Sequence, residues 1–388
     1  MQPHVAVIGA GPGGLALAIA LHRRAIPVQV YEQAHALRPI GAGLSLMPNG
    51  LHALAAIDPA IVTMLTTHGN SLQAVNLWRS SGEHIARTPI TYQETYGQPM
   101  LLLRWSTLQT TLASFLPAEQ VHLNHRCTGL THHDQGVTVH VEAGHTIEAN
   151  LVIGADGINS TVRQCILGDG PPHHTGRISW RAILSYQHPM LPADEAVFLV
   201  APDRNILIVR IGEGDIFWSA TARADTALND DLNARTIKER VLAAYTGWAE
   251  AVPAIIAATE PQVIIERPIC DRPPGPTWST THATLLGDAA HPMVPTLGQG
   301  ANTAFEDAYE LAECIVHAPT IADALSAYEQ RRVQRTQMIQ VRSALQGQRS
   351  YGQEMNTVLR GILAQAQMDQ SAFDRWLYTY PPPAQQDA

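Results

Sequence analysis

The 388-residue chain is poor in lysine and in charge of either sign. Lys238 is its only lysine, and Asp, Glu, Lys and Arg together make up 15% of the residues. A mechanism that needs a lysine amine therefore has a single candidate. With 25 basic residues and a net charge of -9, the chain lacks the basic face that phosphate recognition requires. We expect no nucleic-acid partner.

Cysteines and long apolar runs are also scarce. The four cysteines lie far apart and form no Cys-x-x-Cys pair: Cys127, Cys165, Cys270 and Cys314. Neither a disulfide framework nor a metal site is therefore predicted. No uncharged apolar stretch approaches the ~20 residues that a membrane-spanning helix needs, and the N-terminus has no basic leader. These absences predict a cytoplasmic protein without a membrane span.

A glycine-rich turn stands near the N-terminus. The apolar run 4–8 leads into Gly9, Gly11 and Gly14, in the pattern G-x-G-x-x-G, and helical spacing follows. A second apolar run then ends on Glu32. In a β-α-β unit such glycines allow a tight turn and the close approach of a pyrophosphate, while the acid accepts hydrogen bonds from ribose hydroxyls. The pattern predicts a dinucleotide site.

Two more apolar runs end in Gly/Asp turns, at 151–157 and 283–291. We expect both to be strands beside the first, so that three turns face one ligand. Alternating and apolar runs within 71–99 and 176–271 predict strands of an antiparallel sheet. The predicted fold is α/β, with a Rossmann-like domain containing a parallel sheet, an inserted α+β substrate domain and a C-terminal helical region.

The domain boundaries follow from these patterns. They are 1–70, 100–175 and 272–345 for the cofactor-binding domain, 71–99 and 176–271 for the substrate domain, 346–380 for a C-terminal helical segment, and 381–388 for a disordered tail.

Two longer motifs resemble those of a known family. The segments GADGINSTVR, 154–163, and GDAAHPMVPTLGQGANTAFEDA, 287–308, resemble the second and third fingerprints of the single-component FAD-dependent aromatic hydroxylases. This family includes p-hydroxybenzoate and salicylate hydroxylases. The resemblance covers most of residues 4–345 and implies that the dinucleotide is FAD.

The resemblance and the turns together assign cofactor contacts. The residues assigned to cofactor binding are Gly9, Gly11, Gly14, Glu32, Arg104, Asp156, Gly157, Asp288, Gly298, Gln299, Gly300, Ala301 and Asn302. Pro295, Gly298 and Gly300 are assigned to the loop beside the flavin ring, where bare amides before a helix suit a developing negative charge. The alternative for Gln299, Asn302 and Glu306 is helix capping and solvent contact.

The resemblance also implies a reaction. As a hypothesis, NADH or NADPH reduces FAD, O2 adds to the reduced ring as a C4a-hydroperoxide, and oxygen passes to a small, electron-rich aromatic or heteroaromatic substrate. A related epoxidase, a urate-type hydroxylase and a non-enzymatic flavin-binding protein are the alternatives. Against urate, Asn205 and Phe217 stand where an arginine and a tyrosine are expected. The chain is expected to be a monomer or a homodimer.

Substrate contacts are predicted in the middle segment and near residue 47. The candidates are Met47, Arg181, Arg210, Phe217 and Trp218. An arginine could pair with an acid, and aromatic rings could form the walls of a pocket. The alternative is that Arg210 ends a strand at solvent and that Trp218 belongs to a core. His291 is expected to pack within the flavin loop rather than to act as a base.

Overall fold

The computed structural model describes residues 4–37, 42–224, 236–347, 361 and 368–380. Its strands are β1 (Val5–Ile8), β2 (Val28–Tyr31), β3 (Gly43–Leu46), β4 (Asn70–Ser71), β5 (Ala74–Arg79), β6 (His84–Pro89), β7 (Leu101–Arg104), β8 (Val121–His122), β9 (Cys127–His133), β10 (Gly136–Val141), β11 (Thr146–Ala149), β12 (Leu151–Gly154), β13 (His173–Leu184), β14 (Glu195–Val200), β15 (Arg204–Arg210), β16 (Ile216–Arg223), β17 (Ile265–Asp271) and β18 (Ala283–Leu285). Its α-helices are α1 (Pro12–Arg23), α2 (Pro48–Ile57), α3 (Pro59–His68), α4 (Tyr92–Tyr96), α5 (Trp105–Ala113), α6 (Thr161–Leu167), α7 (Ile237–Ala244), α8 (Ala251–Ala258), α9 (Gly300–His317), α10 (Ile321–Gln346) and α11 (Gln370–Tyr378).

Five strands form a parallel sheet in the order β18-β12-β1-β2-β8. Val5 is opposite Val28 on one side and Leu151 on the other, and Val152 is opposite Ala283. All residues of β1 and β12 are buried, as expected for parallel strands that are covered on both faces. The predicted Rossmann-like parallel sheet is confirmed.

The helix after β1 begins and packs as its sequence allows. Pro12 lies in the first turn of α1, where the missing N–H would have no partner in any case. A Cβ atom placed on Gly13 would lie 2.9 Å from the Cβ of Ala304 in α9 and 2.6 Å from Leu286, just after β18. A residue without a side chain therefore lets α1, α9 and β18 approach one another closely.

Two further sheets have three antiparallel strands each, in the orders β3-β7-β4 and β11-β10-β9. The sequence patterns did not predict them. In β10, Val137, Val139 and Val141 are buried in the main core and alternate with more polar residues, which is a detectable signal of period two. In β3, Leu44 and Leu46 also alternate with small residues, but this signal spans only four residues.

The largest sheet has seven strands in the order β17-β13-β16-β15-β14-β5-β6. It takes strands from both segments assigned to the substrate domain, 71–99 and 176–271. The sheet is antiparallel as predicted except where β5 lies parallel to β14. These two strands are distant in sequence, so no hairpin forces them to run in opposite directions. The exact domain boundaries stay a prediction.

The two faces of the seven-stranded sheet have different partners. We call the face that packs on α7 and α8 the outer face; it carries Ile178, Trp180, Ala182, Ile208, Ile216 and Trp218. The opposite, inner face packs against Leu102 of β7 and against Leu72, just after β4; it carries Ile183, Leu207, Val209 and Phe217. Because successive side chains of a strand point to opposite faces, neighbouring residues of β16 have different surroundings.

Two substrate assignments are corrected by this division. Trp218 is 0% exposed on the outer face, where its indole N–H donates to the hydroxyl of Thr259 at 3.0 Å. Arg210 is two residues after Ile208 in β15, so its side chain points to the same outer face. Its partner on the adjacent strand, Ile216, also lies on that face. Neither side chain lies on the inner face. The sequence could not reveal which face these side chains occupy, because that depends on the register of the sheet.

Two helices, α10 and α11, are described in the C-terminal region. Arg335 of α10 donates to the carbonyl oxygens of Trp376 and Leu377 in α11, at 3.2 and 2.9 Å. Of the predicted segment 346–380, the residues at 348–360 and 362–367 lie outside the described part of the chain, as does the predicted tail at 381–388. No α-helix within the described ranges has the length and apolar character needed to cross a membrane.

Replacing Trp218 with alanine should reduce stability without affecting ligand affinity. The change removes a buried indole and its hydrogen bond to Thr259, and we expect the free energy of unfolding to fall by about 3–5 kcal/mol. Urea denaturation measures this change. Unchanged stability combined with lost ligand binding would return Trp218 to the substrate pocket.

Candidate flavin site

Three turns meet at the carboxyl ends of three adjacent strands, β18, β12 and β1. The N–H of Ala155, after β12, donates to the carbonyl of Ile8 at 2.8 Å, and the N–H of Leu286, after β18, donates to the carbonyl of Gly154 at 2.9 Å. Ligands of open parallel sheets bind at this edge of the sheet. The three glycine-rich and acidic turns predicted to face one ligand are therefore neighbours.

The glycines of the first turn serve two different purposes. Gly9 has φ 110°, and a Cβ on it would lie 2.4 Å from the carbonyl oxygen of Ala155. A Cβ on Gly14 would lie 2.2 Å from the carbonyl oxygen of Gly9. A Cβ on Gly11 would meet no protein atom closer than 4.0 Å. Gly9 and Gly14 thus allow the chain to fold tightly, whereas Gly11 leaves space at the N-terminus of α1, where an anion is stabilised.

Two side chains hold this first turn in place. The carboxylate of Glu32 accepts hydrogen bonds from the N–H groups of Ala10 and Ala34, both at 2.8 Å. Each oxygen keeps a second lone pair, so the acid can still accept from a ribose hydroxyl. Gln109, 5% exposed on α5, donates to the carbonyl of Ala10 at 2.8 Å. No local motif marks Gln109, and sequence analysis missed it.

The second turn is tied to its own helix and to the third turn. Asp156 accepts from the hydroxyl of Ser160 at 2.5 Å and from the N–H of Thr161 at 2.8 Å, so it caps α6. Arg163 pairs with Asp169 and donates to the carbonyl oxygens of Ala289 and Ala290 at 2.9 and 2.7 Å. Asp156 therefore shapes the loop, and Arg163 joins it to the third fingerprint. Gly157, with φ 80°, has open space where a Cβ would point.

Asp288, in the third turn, has a carboxylate with no partner among the described residues. Its side chain is exposed, and one carboxylate oxygen lies 3.6 Å from where a Cβ of Gly300 would stand. Protein nevertheless surrounds the group closely, since burial raises its pKa while His291 opposes that rise. An accessible acid in such surroundings lies in a recess and is available to accept hydrogen bonds from ligand hydroxyls.

A buried network lies directly behind this acid. Asp307, 0% exposed, accepts from the N–H of Gly287 at 3.0 Å, from His291 at 2.5 Å and from Arg332 at 2.7 Å. Burial alone would raise the pKa of Asp307, but His291 and Arg332 lower it to about 2. His291 is thus held inside the protein at 1% exposure, the position expected of a packing residue.

The loop before α9 is fixed by buried amides. Pro295–Leu297 form a short 3-10 turn that ends at Gly298 with φ 64°. Asn302, 0% exposed, donates to the carbonyls of Ser45 and Gly298 at 3.1 and 2.8 Å and accepts from the N–H of Met47 at 2.9 Å. Solvent contact is therefore not the role of Asn302. It joins β3 to the loop.

Gln299 and Glu306 are buried in the same way. Both accept a hydrogen bond from the amide of Asn49, at 2.9 and 2.6 Å, and Glu306 also pairs with Arg335. Gln299 occupies the N-cap position of α9, but its side chain makes no capping hydrogen bond, and the side chains of both residues are buried rather than in contact with solvent. Their side chains join α9 to α2 through Asn49. Gly300 and Ala301, at the N-terminus of α9, remain partly accessible.

Other predicted residues lie around the loop. Met47 approaches Gly298, with 3.5 Å between its methyl carbon and the Cβ position of that glycine. Phe217 packs from the inner face onto Gly43, 2.6 Å from the corresponding Cβ position. Arg104, predicted to contact FAD, forms an ion pair with Asp215 beside the start of β16. These residues border the space between the loop and the inner face.

Residues 2–343 match the model of the family described as FAD binding domain. The chain belongs to the FAD-dependent aromatic hydroxylase family. It is an FAD-dependent monooxygenase.

Relatives of this hydroxylase cover nearly its whole length. It is 34% identical to 6-hydroxynicotinate 3-monooxygenase of Bordetella bronchiseptica, over 87% of this chain and 90% of that one. It is 32% identical to aurachin C monooxygenase/isomerase of Stigmatella aurantiaca, over 85% of each chain. Its fold matches that of Klebsiella pneumoniae HpxO complexed with FAD and uric acid, with a TM-score of 0.83 and 25% identity over 97% and 96% of the two chains.

The residues of the hydroxylase fit FAD at both ends of the site. The open position at Gly11 lies at a helix N-terminus, which suits the pyrophosphate. The unpaired carboxylate of Asp288 suits sugar or ribityl hydroxyls, and the first-turn amides of α9 suit the electron-rich edge of the ring. Residue by residue, these cofactor contacts stay predictions.

Replacing Gly11 with alanine should weaken FAD binding to the hydroxylase by at least about tenfold, because the new methyl group enters the space assigned to the pyrophosphate. No protein atom lies closer than 4.0 Å to that methyl position, so the apoprotein should keep its melting temperature. Fluorescence titration of apoprotein with FAD measures the affinity. Gly129→Ala in β9 is the matched control, because the nearest atom to its new methyl group is a ring carbon of His140 at 3.9 Å. Full flavin affinity in Gly11→Ala would refute the assignment.

Replacing Asp288 with asparagine should make the apoprotein more stable and the holoprotein poorer in FAD. Burial raises the pKa of Asp288 above its unfolded value, so the apoprotein loses stability as pH rises from the unfolded pKa through the folded one. Because the asparagine amide does not ionise, the variant apoprotein should not lose this stability as the pH rises. A hydrogen bond to a charged acceptor contributes about 1.5–3 kcal/mol to FAD binding.

Thermal melts of the apoprotein across this pH range and FAD titrations test both effects of Asp288→Asn. The exposed Asp134 supplies the control substitution, Asp134→Asn. Unchanged FAD affinity in Asp288→Asn would mean that the third turn is misassigned.

Proposed function

We propose that this FAD-dependent monooxygenase hydroxylates a small, electron-rich aromatic or heteroaromatic compound, with NADH or NADPH as electron donor and O2 as co-substrate. The observation that carries the proposal is the position of the loop Pro295–Gly300. Through Ser45 and Met47 this loop contacts β3, whose first residue, Gly43, packs on Phe217 of the inner face. A ring bound between the loop and the inner face would lie beside the flavin-binding turns.

When bound, FAD supplies the redox chemistry, accepting hydride and activating oxygen. The protein's own groups bind and orient the substrate, and they exclude water from the site. Amide N–H groups in the first turn of α9 have no partner within the helix and can stabilise negative charge. Met47, Met293 and Leu297 pack with Phe373 of α11 and form an apolar wall around the loop. Such a wall keeps water from the reacting groups.

No buried histidine of the third turn is available as a substrate base. His291 is 1% exposed and donates to Asp307, so its proton is committed to a structural contact. The substrate's own hydroxyl or amino group would therefore supply the nucleophilic character of the ring, and the protein would favour its ionised form electrostatically.

Urate-type hydroxylation is the second candidate. The fold match to HpxO, solved with uric acid, favours it. Against it, Asn205 and Phe217 replace the expected arginine and tyrosine. The match to 6-hydroxynicotinate 3-monooxygenase favours a hydroxylated heteroaromatic acid. We also propose a cytoplasmic location and a monomer or homodimer.

A substrate panel tests the function. Hydroxybenzoates, hydroxynicotinates, urate and indoles are each added to holoprotein with NADH or NADPH, and nucleotide oxidation is followed by the loss of the absorbance of the reduced nicotinamide. At least one compound should accelerate oxidation severalfold and yield a product that contains one atom from labelled O2 by mass spectrometry.

The same panel run with Gly11→Ala is the control, and its activity should fall in proportion to its flavin content. A flavin-free, inert wild-type protein would contradict the enzyme assignment. Oxygen incorporated into urate alone would replace the aromatic proposal with the second candidate.

A further inference from the structure

The C-terminal helix α11 is capped by an arginine of the neighbouring helix α10. Arg335 donates to the carbonyl oxygens of Trp376 and Leu377 at 3.2 and 2.9 Å. These carbonyls belong to the last turn of α11, where backbone oxygens have no partner within the helix. The guanidinium carbon also lies 4.3 Å from the centre of the Trp376 ring and 4.0 Å from that of Tyr380. Arg335 therefore holds the end of α11 by hydrogen bonds and by cation–π contacts.

The helical form of α11 depends on such contacts. The helix has nine residues, Gln370–Tyr378, whereas an isolated helix shorter than about 12–15 residues is marginal in water. Its buried side chains Phe373 and Leu377 belong to the same apolar cluster as Met47 and Leu297, which lie at the loop assigned to the flavin ring. Docked α11 thus covers this loop, and a released α11 would neither cover it nor stay helical.

Arg335 is also linked to the loop Pro295–Gly300 by hydrogen bonds. Its Nε and Nη2 atoms donate to the two carboxylate oxygens of Glu306, at 2.7 and 2.8 Å. The amide nitrogen of Asn49 donates to Glu306 at 2.6 Å and to the side chain of Gln299, within the loop, at 2.9 Å. The Gln299 side chain has no other hydrogen-bond partner among the described residues. A continuous series of hydrogen bonds therefore joins α11 to the loop.

The charge of Glu306 makes this series sensitive to the position of Arg335. Burial alone would raise the pKa of Glu306, but Arg335 and Arg332 lower it, so the carboxylate stays ionised inside the protein. A buried charge that loses a counter-charge is strongly destabilised. Release of α11 takes two carbonyl acceptors and two aromatic rings away from Arg335, and so acts on the group that holds Glu306 in place.

We propose that Arg335 is a positioning residue that holds α11 and the loop Pro295–Gly300 as one unit, so that the loop keeps its flavin-binding form only while α11 is docked. The connection runs through Glu306, Asn49 and Gln299. FAD binding and the docking of α11 then stabilise each other, because coupling between two sites is reciprocal. The inference rests on the assignment of the loop to the flavin ring and holds for any substrate.

Hydrogen–deuterium exchange of the full chain, with and without FAD, tests the proposal. Backbone amides from Phe373 to Thr379 exchange when α11 opens, so their rates report its docking. Bound FAD also stabilises the whole fold by mass action, and α8 on the outer face supplies the reference for that general effect. Fluorescence titration of the apoprotein measures the affinity for FAD.

Three variants separate the docking of α11 from its link to the loop. Arg335→Lys keeps a positive charge beside Glu306, but a compact ammonium replaces the planar fork that reaches Glu306 and α11 together. Asn49→Ala leaves the pair of Arg335 and Glu306 in place and removes the link to Gln299. Arg375→Lys makes the same change as the first on the exposed side of α11 and is the matched control.

In the wild type, FAD should slow the exchange of α11 by at least about fivefold more than that of α8, the lower end of the usual range for coupled sites. Asn49→Ala should exchange like the wild type without FAD and lose this extra protection, a result that a merely structural asparagine would not give. Arg335→Lys should exchange faster in α11 with or without FAD. Both variants should bind FAD at least about fivefold more weakly, and Arg375→Lys should match the wild type.

Equal slowing of α11 and α8 by FAD in the wild type would overturn the inference. So would extra protection that survives Asn49→Ala, or Arg335→Lys with unchanged α11 exchange or unchanged FAD affinity. If Arg335→Lys fails to fold, Asn49→Ala decides the question. If the wild type binds FAD and Gly11→Ala binds it weakly while α11 does not respond, only this inference is lost; a wild type that binds no FAD loses the flavin assignment as well.

Discussion

The arrangement of the site depends on one buried carboxylate, Asp307. It accepts hydrogen bonds from the backbone of Gly287, from His291 and from Arg332, and so joins the third turn, α9 and α10 at a single point. Removing one partner of a buried, hydrogen-bonded ion pair typically costs 3–5 kcal/mol, because the other charge is left uncompensated. These hydrogen bonds hold Gly287, and with it the next residue, Asp288, in position. Asp307 itself is buried and lies outside the space assigned to the cofactor.

The placement of α9 follows from the same network. Glu306, beside Asp307, pairs with Arg332 and Arg335 and accepts from Asn49 of α2. The helix is thereby held along its buried face, and its N-terminal amides are directed at the space where the flavin ring is proposed to bind. A rigid, preorganised set of donors stabilises developing charge better than donors that must reorient.

Sequence patterns predicted the features that depend on local chemistry. Glycines next to strands, with Glu32 and Asp288 after them, predicted the three turns, and parallel pairing placed those turns side by side. The face of the sheet on which a given side chain lies was not predictable. Phe217 and Trp218 are adjacent aromatic residues in an apolar run, and only the register with β13 decides that the first faces inward.

The charged helices pose the same difficulty. Arg331 and Arg332 are neighbours in α10, yet the side chain of Arg331 is 52% exposed and that of Arg332 is 0% exposed. A helical wheel cannot assign a buried face when arginine occupies both sides, and the acid that compensates Arg332 comes from another helix. Gln109 went unnoticed for a similar reason, since its partner at Ala10 is brought to it only by the fold.

The parallel sheet also governs when the site can form during folding. Val5 pairs with Leu151, and Val152 with Ala283, so the three turns come together only after distant parts of the chain have met. Such non-local pairing is slow compared with helix and hairpin formation. The uptake of flavin by a refolding chain would therefore report that these distant pairings have formed, and not only that local helices and hairpins are present.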